Sequence, residues 1–329
     1  VSRVQTLEVG ADEAELRLDR WFKRRFPGLG HGKLEKLLRT GQVRLDGKRA
    51  RAADRVTPGQ IVRVPPLDEA ATSAPAGPAP AAKPRQRDID AVLGSVIYQD
   101  DEVIALDKPP GLAVQGGTRT DRHLDMMLDE LRFGAAERPR LVHRLDKDTS
   151  GVLVLARSAA AAAKLTAAFR EKSTKKVYWA VTVGVPKPRQ GRIDMALGKV
   201  AGAAGERVAA DPDEGKRAVT LYRVAENAAA KAAYVVLSPV TGRTHQLRVH
   251  MAALDTPILG DGKYGAAKAH LAGVPGGRLL HLHARALAIP HPKGGVLTLI
   301  APLPLHMRRT FEFFGFTEDK GSPFDWLDD

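Results

Sequence analysis

The chain has 329 residues, 51 of them Lys or Arg against 38 Asp or Glu, giving a net charge of +13 and a pI near 10.0. Its hydrophobic fraction of 43% is enough for a sizeable core, the charge excess favours a polyanionic partner such as nucleic acid, and the absence of cysteine excludes disulfides, thiol nucleophiles and Cys-ligated zinc. No apolar run approaches the ~20 residues of a membrane span and the opening "VSRVQTLEVGADEAELRLDRW" lacks a signal-peptide core, so a cytoplasmic protein is expected.

In chain order, "RLDRWFKRRF" sets Leu18, Trp21, Phe22 and Phe26 on one helical face, and "GKLEKLLRTGQ" does the same with Leu34, Leu37 and Leu38 before a Gly41 cap. "VRLDGKRA" and "QIVRV" then alternate around an Asp-Gly turn, which predicts a small hairpin. From Arg17 to Arg55 there are 13 Lys and Arg against 4 Asp and Glu. A solvated charged surface would account for some of that excess, but its density on so short a piece points to an RNA-binding face. The Ala/Pro-rich stretch "PPLDEAATSAPAGPAPAAKPRQR" reads as an extended linker. The expected organisation is therefore a small α/β unit over 1–65, a linker over 66–88 and a large unit over 89–329.

The large unit opens with strands over Val96–Tyr98 and Val103–Leu106, separated by the turn at Asp100 and Asp101 and followed by the constrained Lys108-Pro-Pro-Gly turn. Leu124, Met127, Leu128 and Leu131 have helical spacing, and "SAAAAAKLTAAFREK" reads as an Ala-rich helix. "VYWAVTVG", "RAVTLYRV" and "AAYVVLSPV" read as strands. Strands and helices interleave without regular βαβ spacing, which predicts an α+β domain around a mixed, largely antiparallel sheet.

One stretch concentrates chemistry. In "LVHRLDKDTSGVLVLARS" the loop carrying Arg144, Asp146 and Asp148 runs directly into a buried strand, a placement that displays a side chain on a rigid support. The plainer alternative is a surface turn in which Asp146 and Asp148 pair with Arg144 and Lys147. A second segment, "SPVTGRTHQLRVHMAALDTPILGDGKYG", gathers Arg243, His245, Gln246, Arg248 and His250, with a helix expected from about Thr244 that turns Arg248 away from the core face. His245 and His250 lie five residues apart and do not match the i,i+4 spacing of a zinc helix, and His281 and His283 have no third ligand at recognisable spacing, so no metal is expected.

These segments carry a resemblance. "RLDRWFKRRFPGLGHGKLEKLLRTGQVRLDGKRA" resembles an S4 RNA-binding domain, which implies Arg17, Arg20, Lys33, Lys36, Arg39, Arg44 and Lys48 as its RNA-facing residues. "HRLDKDTSG" and "TGRTHQLRVH", with "LDKPPGL", "GKRAVTLY" and "RLLHLHA", resemble the RluA/RluC/RluD family of RNA pseudouridine synthases over about Val96 to Pro304, closest to the RluC type. The resemblance implies a pseudouridine synthase fold, isomerisation of uridines in large-subunit ribosomal RNA, and no cofactor. It implies Asp146 as the catalytic aspartate and Arg144 as the arginine that helps displace the base. It further implies Tyr178 as the aromatic on the uracil and Arg248 as the partner of the aspartate. A monomer is the default expectation. Two other readings remain open at this level: a glycosidase using Asp146 and Asp148, which 5% aromatic residues argue against, and a non-catalytic RNA-binding assembly factor.

Overall fold

The computed structural model describes residues 3–10, 13, 16–67, 84–116, 122–171, 173–200, 207–318 and 321–327. The chain forms two compact units, Val1–Lys83 and Pro84–Asp329. The expected linker falls, over 68–83, outside the described residues, and its last residues are already structured, because helix Gln86–Leu93 begins there and buries Asp88.

The first unit contains β1 (Gln5–Glu8), α1 (Leu18–Arg25), α2 (His31–Arg39), β2 (Arg44–Leu45), β3 (Lys48–Arg49) and β4 (Ile61–Val64), with an antiparallel sheet ordered β1-β4-β2-β3. Asp46 and Gly47 both take positive φ, 48° and 75°, the backbone that a two-residue hairpin turn requires. Leu18, Trp21, Phe22, Phe26, Leu34 and Leu38 pack with Val43, Val62 and Val64 into one core. Glu13 locks α1 to the preceding segment. Its carboxylate accepts from Trp21 Nε1 at 2.9 Å and from a fork of Arg25 Nε and Nη2, both at 2.8 Å, and the Arg25 contact above all holds its pKa down to about 2.

The second unit begins with α3 (Gln86–Leu93), β5 (Val96–Gln99), β6 (Val103–Lys108), a 3-10 helix (Leu124–Leu131) and β7 (Arg140–Leu141). It continues through β8 (Ser150–Ala156), α4 (Ala159–Arg170), β9 (Lys175–Val183), β10 (Gln190–Val200), β11 (Arg207–Ala210), β12 (Lys216–Ala228) and β13 (Ala232–Pro239). Helix α5 (Gln246–Ala253), β14 (Leu282–Pro290), β15 (Val296–Ile300) and α6 (Leu305–Phe314) complete it. The sheet runs β11-β10-β12-β13-β9-β14-β8-β6-β5, with β15 added to β14 and β7 to β8. Its pairings are antiparallel apart from β14 with β8, so the fold is the mixed, largely antiparallel α+β arrangement the sequence predicts.

Both faces of β6 and β8 are covered. Ile104, Leu106, Leu153 and Leu155 face a core shared with the 3-10 helix, while Val103, Ala105, Val152 and Val154 face one shared with Ala161 and Leu165 of α4. A strand buried on both faces reads as the continuous run "VLVLA" rather than as alternation.

The parallel junction depends on Gly151, which pairs with Ala284 at φ 107°. A Cβ there would sit 2.3 Å from the Ala284 carbonyl oxygen, backbone that cannot step aside. Gly151→Ala is therefore expected to cost about 3 kcal/mol or more, read as a lower midpoint in urea denaturation.

Candidate active site

The loop before β8 is held from three sides. Leu145 is buried in the core under it, and the Thr149 amide donates to the Asp146 carbonyl at 3.2 Å. Lys108, fully buried, gives its three ammonium hydrogens to the carbonyls of Pro109, Leu112 and Lys147 at 2.8, 2.9 and 3.0 Å, and Gly111 N–H joins it on the Lys147 carbonyl. Burial pulls its pKa down to about 8 against the opposing pull of Asp148, Asp146 and Asp107, so the ammonium persists at neutral pH with every donor used. On the other side His143 Nε2 accepts the Val154 amide at 2.8 Å and its ring stacks on Phe169 at 4.4 Å. Burial drives that imidazole down to about 3, with Lys176 adding to the effect, so it is neutral.

Asp146 is half-buried on the rim of a cleft of about 510 Å³. Its wall is made by the 143–149 loop, the end of α4, the start of β9 and the 239–248 segment, and it brings Arg144, Asp146, Tyr178 and Arg248 together from distant parts of the chain. Arg144 is exposed at the opening. Tyr178 comes from β9, placed by its pairing with Leu237 on one side and Ala284 on the other. Burial raises the pKa of its phenol, and the Asp146 charge raises it further. The cationic side chains Arg170, Lys176 and Arg243 also line the cleft, which suits it to a phosphate-bearing ligand.

Arg248 departs from expectation in two respects. It is 7% exposed rather than turned outward, and its ion-pair partner is Asp261, not Asp146. The fork is bidentate, Nε to Oδ2 at 2.8 Å and Nη2 to Oδ1 at 2.7 Å. The reason is local: Asp261 sits in the tight turn after α5, where its Oδ1 also accepts the amides of Lys263 and Tyr264 at 3.1 Å, so a fixed carboxylate meets the planar guanidinium. After Asp261, the Asp146 charge also helps hold Arg248 in its cationic form. The cation-capable group that faces the Asp146 carboxylate is His245, whose Nε2 lies 3.8 Å from Asp146 Oδ2.

The basic residues read from the first unit, Arg17, Arg20, Lys33, Lys36, Arg39, Arg44 and Lys48, are all exposed on it. Some of them also bond within the unit: Arg17 pairs with Asp19 at 2.8 Å, and Arg44 donates to the carbonyls of Gly41 and Gly47. Among the described residues no group of three or more His, Asp or Glu side chains is arranged to hold a metal ion. Three of the four histidines considered for that role are built into the core, and the fourth, His245, lies in the cleft. His250 contacts Thr220 Oγ1 at 2.9 Å, His281 meets the Leu279 carbonyl and Thr310 Oγ1 at 2.8 Å each, and His283 meets Ser150 Oγ at 2.9 Å.

Sequence reasoning misses Lys108, Asp261 and Tyr264 as parts of this site. The segments "LDKPPGL" and "LGDGKYG" hold the only local signals, since a lysine before two prolines and an aspartate between glycines both mark constrained turns.

Comparison with known proteins agrees with this geometry. Residues 102–253 match the family described as RNA pseudouridylate synthase. The "Ribosomal large subunit pseudouridine synthase C" of Rickettsia bellii is 34% identical over 303 residues, covering 89% of this chain and 96% of its own. The protein of the same name from Escherichia coli is 34% identical over 317 residues, covering 94% and 96%. Among solved structures, human RNA Pseudouridylate Synthase Domain Containing 4 aligns with a TM-score of 0.58 at 30% identity, covering 69% of this chain and 95% of that one. Human RNA Pseudouridylate Synthase Domain Containing 1 aligns with a TM-score of 0.52 at 29% identity, covering 64% and 83%. With the cleft, the loop that displays Asp146 and likeness over nearly its whole length in agreement, the chain belongs to the RNA pseudouridylate synthase family.

Proposed function

We propose that this chain isomerises specific uridines of large-subunit ribosomal RNA to pseudouridine in the cytoplasm, as a monomer, with Asp146 as the reacting carboxylate. The observation that carries the reading is the convergence of Asp146, Tyr178, Arg144 and Arg248 on one cationic cleft. The RluC-type assignment is supported by the name shared by the bacterial relatives.

The isomerisation breaks N1–C1′, turns the uracil and rejoins it through C5, with a proton lost from C5 and one gained at N1. Asp146 acts either by bonding to C1′ or by abstracting the 2′ proton to open a glycal route, and both need the carboxylate ionised. Arg248, held by its fork to Asp261, places a fixed cation in the wall of the same cleft. A stacked base is out of reach, so the uridine is flipped into the cleft, Arg144 fills the space it leaves, and Tyr178 packs against the ring. The phenol suits that task because its raised pKa keeps it neutral beside an anion. No resident cofactor is needed for an exchange of one glycosidic bond for another.

The direct test is to incubate the purified protein with a large-subunit ribosomal RNA transcript and map pseudouridine at nucleotide resolution. Pseudouridine at discrete positions is the expected result; none in any ribosomal RNA would leave the assembly-factor reading in its place.

The first unit serves, on this proposal, as an S4-like electrostatic anchor. Replacing Arg20, Lys36, Arg39 and Lys48 together by Gln is expected to weaken RNA binding while leaving the rate on saturating RNA unchanged. Each phosphate that a Lys or Arg no longer neutralises lowers the slope of log K against log salt by roughly 0.7 to 0.9, so a fall of about 3.6 is the ceiling. An unchanged salt slope would assign the unit another role.

A further inference from the structure

His245 occupies an unusual place. It immediately precedes α5, where an N-cap normally has extended backbone and a side chain that bonds the first turn. His245 instead has left-handed backbone, φ 55° and ψ 16°, and makes no capping bond. That conformation costs a residue with a Cβ of order 1 kcal/mol or more. The imidazole it frees points into the cleft, with Nε2 3.8 Å from Asp146 Oδ2 and Nδ1 2.6 Å from the hydroxyl of Tyr264. Tyr264 is itself fixed: its amide donates to Asp261 Oδ1, its ring lies 5.0 Å from the Arg248 guanidinium, and its hydroxyl accepts the Val208 amide at 3.3 Å.

A neutral imidazole has one N–H, and the nitrogen that faces a carboxylate is the one that must carry it, because two lone pairs would repel there. Nδ1 must then accept, and the phenol beside it must donate. We propose that His245 and Tyr264 are positioning residues for Asp146, the Tyr264 hydroxyl fixing His245 as the Nε2–H tautomer so that this N–H orients the carboxylate. The inference rests on Asp146 being the reacting group. An N–H donor without a full charge steers the carboxylate and leaves it ionised, whereas an imidazolium would pair with it and blunt it. The surroundings keep the ring neutral. Burial is the largest influence lowering its pKa, Arg248 and Lys263 act in the same direction, and Asp146 and Asp261 oppose them. Tyr264 remains a phenol because burial raises its pKa. The separation of 3.8 Å is longer than a hydrogen bond, and contacts of this kind shorten when substrate closes the site.

The test combines kinetics and histidine NMR on the full chain, with a large-subunit ribosomal RNA transcript as substrate. Tyr264→Phe is expected to lower the single-turnover rate about tenfold, the equivalent of one hydrogen bond, with RNA affinity unchanged within about twofold. His245→Ala is expected to lose about a hundredfold and His245→Gln, which restores a side-chain N–H, to recover part of that loss. In two-bond nitrogen–proton spectra of the unmodified protein His245 is expected to be the Nε2–H tautomer at neutral pH. Its titration moves to lower pH in Asp146→Asn, which removes the charge that favours protonation. An Nδ1–H tautomer, an imidazolium at neutral pH, a titration unaffected by Asp146→Asn, or wild-type rates in Tyr264→Phe would each overturn the relay. Turnover surviving in Asp146→Asn would instead overturn the assignment of Asp146, a separate and distinguishable result.

Discussion

Asp146→Asn is expected to abolish isomerisation while RNA binding stays within a few-fold of wild type. The substitution keeps the shape of the side chain and the loop bond from the Thr149 amide, which goes to the backbone carbonyl and not to the carboxylate. Lys108 also bonds only backbone carbonyls around the loop, so the support survives the change. What disappears is the negative oxygen that, on the proposed mechanism, attacks C1′ or takes the 2′ proton, and a carboxamide does neither. The defect belongs in the bond-changing steps, so single-turnover rates fall and dissociation constants do not. Retention of more than about one per cent of wild-type turnover in a clean preparation would remove Asp146 from its assigned role.

The legible parts of this molecule are those whose cause lies within a few residues. Trp21, Phe22 and Phe26 mark a helix by spacing alone, the Asp46-Gly47 pair dictates its own turn, and "VLVLA" announces a strand covered on both faces. Strand β1 is not legible, because four residues of "QTLE" alternate too briefly to stand out and are held by β4, far along the chain. The site divides in the same way. On its loop alone Asp146 also fits a surface turn, and it is the family resemblance that singles out both it and Arg248 in "HQLR"; the ion pair Arg248 makes here is with Asp261 instead, because a salt bridge is decided by where a later turn delivers a carboxylate. Burial of Lys108 runs against the usual behaviour of lysine, and only the three carbonyls converging on it make that burial tolerable. The left-handed backbone of His245 has no local signal at all, since glycine or asparagine would be the usual occupant.

Asp261→Ala is expected to destabilise the catalytic unit by about 3 to 5 kcal/mol, read by urea denaturation, because it leaves the guanidinium of Arg248 buried without its counter-charge. Arg248 and Asp261 are 8% and 1% exposed at their side chains, too little for water to replace the fork. The same change strips the acceptor from the amides of Lys263 and Tyr264, loosening the turn that places the Tyr264 hydroxyl against His245. Removing the cation as well separates stability from chemistry. In Arg248→Met with Asp261→Ala no buried charge is left unpaired, so the double variant is expected to recover a large part of the missing stability. Its turnover is expected to stay low, since the cleft has lost the fixed cation of Arg248 and the turn that places Tyr264 has lost its anchor. A double variant that regained both stability and turnover would reduce the fork to a structural strut. Recovery of stability alone would show that the fork does more than hold the fold, through the Arg248 cation in the cleft, the turn that places Tyr264, or both.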